Sequence, residues 1–202
     1  MKKIKDAMVL FVITVVAGLL LGGVNEVTEA AIAQQEAEKV ALVYRAVSPQ
    51  AASFEQTEAV AEVLANAESL MAAHTELGNV VIEDAVEALD ASGNFAGHVV
   101  KSTSKDGYGG AITVAVGISA EGTVTGIDYL AIEETPGLGM KATEEAFRSQ
   151  FKDKNVEAFQ VTKTGAAAED EIDAISGATF TSEAVTNAVN AAIVFASECK
   201  GQ

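Results

Sequence analysis

The chain has 202 residues, 49% apolar and 21% charged, enough for one domain with its own core plus an appendage. Its 29 acidic and 13 basic side chains give a formal net charge of -16, which excludes nucleic-acid binding by phosphate neutralisation. A single cysteine, Cys199, excludes an internal disulfide and a CxxC redox pair, and His74 and His98 stand in no metal-ligand spacing, so no metal site is expected.

Lys2, Lys3 and Lys5 precede an uncharged run from Ala7 to Val24, about 18 residues and near the lower limit for a membrane-spanning helix. The basic flank stays in the cytoplasm, which places everything after Asn25 outside. Ala31-Ile32-Ala33 resembles a signal-peptidase site, but the apolar run exceeds the roughly 7–15 residues of a secretory signal, so an uncleaved anchor is expected. From Asn25 to Val47 an Ala/Glu/Gln-rich stretch without Gly or Pro continues as helix until Ser48-Pro49 stops it.

Val60, Val63, Leu64, Ala67, Leu70 and Met71 recur at helical spacing and predict an amphipathic helix over Phe54–His74, with His74 as a terminal cap or charge. Asp90-Ala91-Ser92-Gly93 and Ser119-Ala120-Glu121-Gly122 share one turn pattern. They predict two hairpins, joining strands near Ile82–Leu89 and Phe95–Thr103, then near Ala111–Ile118 and Thr123–Ile132. His98 falls within the second strand as a packed or surface histidine. Between the hairpins, Asp106-Gly107-Tyr108-Gly109-Gly110 reads equally as a plain loop or as backbone lying close to a ligand.

Glu133-Glu134-Thr135-Pro136-Gly137-Leu138-Gly139-Met140 precedes a stretch from Lys141 to Phe151 expected to be helical, whose N-terminus would suit an anion. A Pro-Gly turn is nevertheless most often structural. Residues Thr164 to Glu171 read as a solvated connection. The last motif is Asp173-Ala174-Ile175-Ser176-Gly177-Ala178-Thr179, followed by a helix through about Cys199 with Thr181 or Ser182 as its N-cap. Gly177 and Ala178 leave room beside Thr179, yet spacing alone gives Ser176 and Thr179 more readily as capping residues than as a site.

Gly-Tyr-Gly-Gly-Ala-Ile (107–112), Glu-Thr-Pro-Gly-Leu-Gly (134–139) and Ser-Gly-Ala-Thr (176–179) after an aspartate, in this order behind one membrane helix, resemble the flavin-binding G subunits of Rnf electron-transport complexes. The resemblance implies an α+β chain: a single transmembrane helix, then an extracytoplasmic FMN-binding domain with an antiparallel sheet flanked by helices. Its expected boundaries are a basic tip and anchor at 1–24, a helical membrane-proximal region at 25–77 and the FMN-binding domain at 78–202.

It further implies FMN joined covalently to Thr179 through a phosphoester. Tyr108, Glu134, Thr135, Pro136, Gly137, Leu138, Gly139, Asp173, Ser176, Gly177, Ala178 and Thr181 would surround the cofactor. The implied role is an electron relay in an ion-translocating ferredoxin:NAD oxidoreductase of the cell membrane, with no catalytic residue for a substrate of its own. Implied partners are the other subunits, including a second flavin-carrying membrane subunit, and a flavin transferase for maturation. The C subunit of the sodium-translocating NADH:quinone reductase shares the two late motifs and is the alternative. Other classes left open are a membrane-tethered sensor or flavin reductase, for which 202 residues leave little room, and a non-redox adaptor with Thr179 as a plain cap.

Overall fold

The computed structural model describes residues 2–201, the side chains of 2–4, 21–27 and 29–31 excepted. In chain order its elements are α1 (Lys2–Val47), β1 (Ser53–Glu55), α2 (Glu58–Ala65), α3 (Ala67–Ala73), β2 (Val80–Leu89), β3 (Phe95–Ser104), β4 (Ile112–Ser119), β5 (Val124–Ala131), α4 (Glu145–Arg148), β6 (Gln160–Thr162), β7 (Glu171–Asp173) and α5 (Thr179–Lys200). The chain divides into two compact units, Met1–Ala41 and Leu42–Gln202.

In the first unit α1 carries Met8, Leu10, Phe11, Val12, Ile13, Leu19 and Leu20 exposed. Among the described residues no helix is long and apolar enough to cross a membrane. The expected span Ala7–Val24 ends in residues 21–24, whose side chains lie outside the described ones. Helix α1 ends at Val47, where the Ser48-Pro49 stop was expected.

The second unit is organised by its two hairpins. Gly93 N–H donates to Asp90 C=O (3.0 Å) and Asp90 N–H to Asn94 C=O (2.9 Å). In the second turn Gly122 donates to Ser119 (2.9 Å) and Ser119 to Thr123 (2.8 Å). Both glycines have positive φ, 80° and 97°, so each loop is a tight turn closed by a left-handed residue, which holds register and twist together. The hairpins join into an antiparallel sheet of order β1-β2-β3-β4-β5, with Ala85 opposite Val100, Val100 opposite Val116 and Val116 opposite Ile127.

Helix α5 lies on one face of this sheet. Its Ala184, Val185, Ala188, Ala192 and Phe195 share a core with Val100, Ile112, Val114, Val116 and Ile127. Each large apolar side chain fully buried there contributes roughly 1.5–3 kcal/mol over an exposed one. Phe147, Phe151 and Phe159 extend that core by edge-to-face ring contacts. On the opposite face Val43, Tyr44 and Val47 are buried. There Thr125 Oγ1 donates to Val47 C=O and Tyr44 O–H to Asp84 Oδ2 (3.0 Å). Gly117 permits this approach, because a Cβ at that position would overlap the Val47 carbonyl.

Several expectations are corrected. The helix expected over Phe54–His74 is a short edge strand followed by two helices. Phe54 pairs opposite Ala88, Thr57 caps α2 by accepting from Val60 N–H (3.4 Å), and Asn66 breaks the run by donating its side-chain amide to Glu62 C=O (3.0 Å). The helix expected over Lys141–Phe151 is one α-turn, α4, between two 3-10 turns, interrupted at Glu144 by extended backbone. No helix N-terminus therefore forms there to receive an anion. The solvated connection expected at 164–171 stands as a largely exposed loop through 170, with Glu171 opening β7, which pairs in parallel with β6. Thr181 and Ser182 are not caps: α5 starts at Thr179, which places both inside its first turn, and both are buried.

Candidate functional site

Two turns of the same design meet at the start of α5. In Thr135-Pro136-Gly137-Leu138 the Thr135 carbonyl accepts from Leu138 N–H (3.1 Å) and Met140 N–H (3.2 Å). In Ile175-Ser176-Gly177-Ala178 the Ile175 carbonyl accepts from Ala178 N–H (2.9 Å). Gly137 and Gly177 occupy the third position of each with φ of 76° and 78°, the pattern of a type II turn, for which proline suits the second position and glycine the third. Ser182 fastens the second turn to the helix, its Oγ accepting from Ile175 N–H (2.9 Å) and donating to Ala178 C=O (3.0 Å).

Between the turns lies a cavity of about 420 Å³, within the range of small-molecule sites. Gly177, Ala178, Thr179, Phe180 and Thr181 line it from the helix side, Glu134, Thr135, Leu138 and Gly139 from the other, and Tyr108 from the glycine-rich loop. Larger grooves exist, one of about 590 Å³ beside the hairpin turns, but chemistry singles out this cavity. The first N–H groups of a helix have no intrahelical acceptor and carry the positive end of its dipole, and the N-cap, Ala178, supplies no side-chain bond. Leu138, Phe180 and Tyr108 are 43%, 66% and 76% exposed at its rim. Glu134 is buried, and its Oε1 has no hydrogen-bond partner.

Small residues keep this space open. A Cβ on Gly139 would stand 2.6 Å from Glu134 Oε2 and 2.7 Å from Thr181 Oγ1, and one on Gly177 3.3 Å from Leu138 Cδ2. Of the residues singled out in the sequence, Tyr108, Glu134, Thr135, Leu138, Gly139, Gly177, Ala178, Thr179 and Thr181 come together. Pro136, Gly137 and Ser176 shape the turns without lining the cavity. Asp173 points elsewhere: its Oδ1 accepts from Ala166 N–H (2.7 Å), and its own N–H donates to Gln150 Oε1 (2.6 Å), so it pins the 164–171 connection. Phe180 was missed, although a bulky exposed aromatic directly after Thr179 is an unusual choice for a solvent-facing first turn.

The remaining candidates lie away from the cavity. Burial pushes the Cys199 thiol up to about 11, which keeps it protonated and unreactive. His98 is buried edge-on against Phe95, with ring centroids 4.9 Å apart. Burial holds its imidazole below the usual range, against the opposing pull of Glu87 and with a smaller push from Lys200. His74 ends α3 and meets Glu76 at 2.8 Å.

The family described as FMN-binding domain matches residues 107–194, which take in every residue lining the cavity. The chain is 36% identical over 193 residues to the G subunit of the Na(+)-translocating ferredoxin:NAD(+) oxidoreductase complex of Acetobacterium woodii, covering 94% of this chain and 89% of that one. It is 34% identical over 198 residues to the G subunit of the ion-translocating oxidoreductase complex of Methanosarcina acetivorans, covering 98% of this chain and 96% of that one. Among solved structures, the crystal structure of Shewanella oneidensis NqrC aligns with a TM-score of 0.49 and 22% identity over 58% of this chain and 61% of that chain.

Proposed function

The chain belongs to the family of G subunits of ion-translocating oxidoreductase complexes, and from that premise we propose that it is the electron-carrying flavin subunit of such a complex. In this reading it holds FMN in the cavity at the start of α5 through a phosphoester to Thr179. The observation that carries it is the cavity itself, where a reachable hydroxyl, the free N–H groups of a 22-residue helix and a buried carboxyl oxygen without a partner converge. A plain capping role for Thr179 leaves that convergence without a purpose.

The residues fit the cofactor. Thr179 is the anchor, and the first turn of α5 offers N–H donors and dipole to the phosphate. Leu138, Tyr108 and Phe180 supply apolar contact for the ring, while Gly139, Gly177 and Ala178 keep space clear. When bound, FMN supplies reversible one- and two-electron redox chemistry. In so acidic a chain, retention by equilibrium binding of a phosphate dianion is disfavoured. A covalent link makes it unnecessary and holds the flavin at high effective concentration beside its partners.

The proposed setting is the cell membrane, with α1 as a single-pass anchor, its basic tip cytoplasmic and the flavin domain outside. The row of exposed apolar side chains from Met8 to Leu20 supports this. The proposed partners are the other subunits of the complex, among them a second flavin-carrying membrane subunit, and a flavin transferase. The near-full-length correspondence with G subunits supports that role over the C subunit of an NADH:quinone reductase. The test is ferredoxin-dependent NAD reduction by membranes carrying the complex. Thr179→Ala is expected to abolish it while leaving the protein in the membrane, and full activity in that variant contradicts the reading.

A further inference from the structure

Glu134 is the one charged residue lining the cavity among the described residues, and nothing in the protein satisfies its Oε1. A buried acceptor without a donor costs stability. His98, Ser102, Tyr129, Arg148 and Thr186 also carry unpartnered buried atoms, but of these six residues only Glu134 lines the cavity, where a ligand donor would relieve that cost. The surroundings preserve that state. A Cβ on Gly139 would come within 2.6 Å of Oε2, so glycine there leaves the carboxyl clear, while one on Gly107 would reach 3.0 Å from Oε1 but first overlap the Gly110 carbonyl. The carboxyl shares its cavity with Leu138 and Tyr108, and of the parts of FMN only the isoalloxazine is apolar and flat enough to match them.

Resting on the proposed function, we propose that Glu134 accepts a hydrogen bond from the ring N–H of the flavin and, by its negative charge, sets the flavin midpoint potential low. A carboxylate in a buried, low-dielectric position disfavours added electron density beside it, so removing the charge makes reduction easier. Glu134→Gln keeps an acceptor and the shape but loses the charge, and Glu134→Leu loses both.

The test compares the full chain, wild type and both variants, made with and without a flavin transferase. Without flavin, both variants are expected to unfold at or above the wild-type temperature, since an unpaired buried carboxyl has been removed. With covalent FMN, Glu134→Gln is expected to show a more positive midpoint potential, and Glu134→Leu an altered ring absorption spectrum as well. A flavin-free Glu134→Gln chain that melts several degrees lower would make Glu134 a structural anchor and overturn the proposal. So would a loaded variant with the wild-type potential and spectrum. If the wild-type chain takes no flavin from the transferase, the functional reading itself fails, and the role of Glu134 falls with it.

Discussion

The hairpin turns and the cavity turns use the same residue, a glycine of positive φ, to opposite ends. At the hairpins the turn-forming side chains find partners within the turn. Asp90 Oδ1 accepts from Asn94 N–H (2.9 Å) and Ser92 N–H (2.7 Å), and Asn94 with its backbone and side-chain amide, then Ser92, holds the carboxyl below the usual range. Ser119 Oγ accepts from Glu121 and Thr123 N–H (both 3.3 Å). At the cavity the turns close their own backbone bonds, but beside them stand an unpaired acceptor on Glu134, a helix end uncapped by any side chain, and apolar groups exposed at the rim. The hairpin turns are complete in themselves; the cavity turns close their backbones yet border groups that a ligand would complete.

The sharpest way to break this contrast is to remove the anchor. Thr179→Ala is expected to eliminate covalent flavin completely, whereas Thr123→Ala, beside a hairpin glycine, leaves it at the wild-type level. Fluorescence of the denatured protein in a gel reads both. A smaller effect is expected from filling the cavity: Gly139→Ala drives its Cβ into Glu134 and Thr181, which costs about 1–3 kcal/mol by overpacking and appears as a lowered thermal midpoint.

Gly137 and Gly93 allow the most controlled comparison. Their φ values are 76° and 80°, and a Cβ at either meets nothing within 4 Å. Valine at each is therefore expected to cost the same backbone strain, about 1–3 kcal/mol. Only Gly137→Val, by moving Leu138, is expected to shift the flavin absorption spectrum while covalent attachment persists. Equal spectra in the two variants would remove the 135–138 turn from the site.

The hairpins were legible in the sequence because their chemistry is local. Asp or Ser three residues before Gly, between alternating apolar runs, specifies a turn without help from the rest of the chain. The four long strands and helix α5 followed within a few residues. What escaped was set by distant packing. Strand β1 exists because Phe54 lies opposite Ala88, and β6 and β7 need each other across an exposed loop. The cavity was legible only through the resemblance of three motifs. Sequence gives no sign that Glu134, one of 29 acidic residues, is buried and unpaired, and Asp173 shares a motif with Thr179 while facing the other way.

The smallest expected effect tests whether the core is independent of the site. His98 is held below its ordinary value of 6.5 by burial, so near and below that pH the unfolded chain binds more protons than the folded one. Its contribution to stability is therefore fully present above pH 6.5 and is lost as the pH falls below it. His98→Gln is expected to flatten this part of the pH–stability curve and to leave covalent flavin unchanged.

The most direct measurement is the mass of the peptide containing Thr179, taken from the chain co-expressed with a flavin transferase. The expected result is one FMN, less a water, on Thr179. An unmodified peptide from a chain exposed to active transferase, or FMN found on another residue, would contradict the assignment of this cavity as the flavin site.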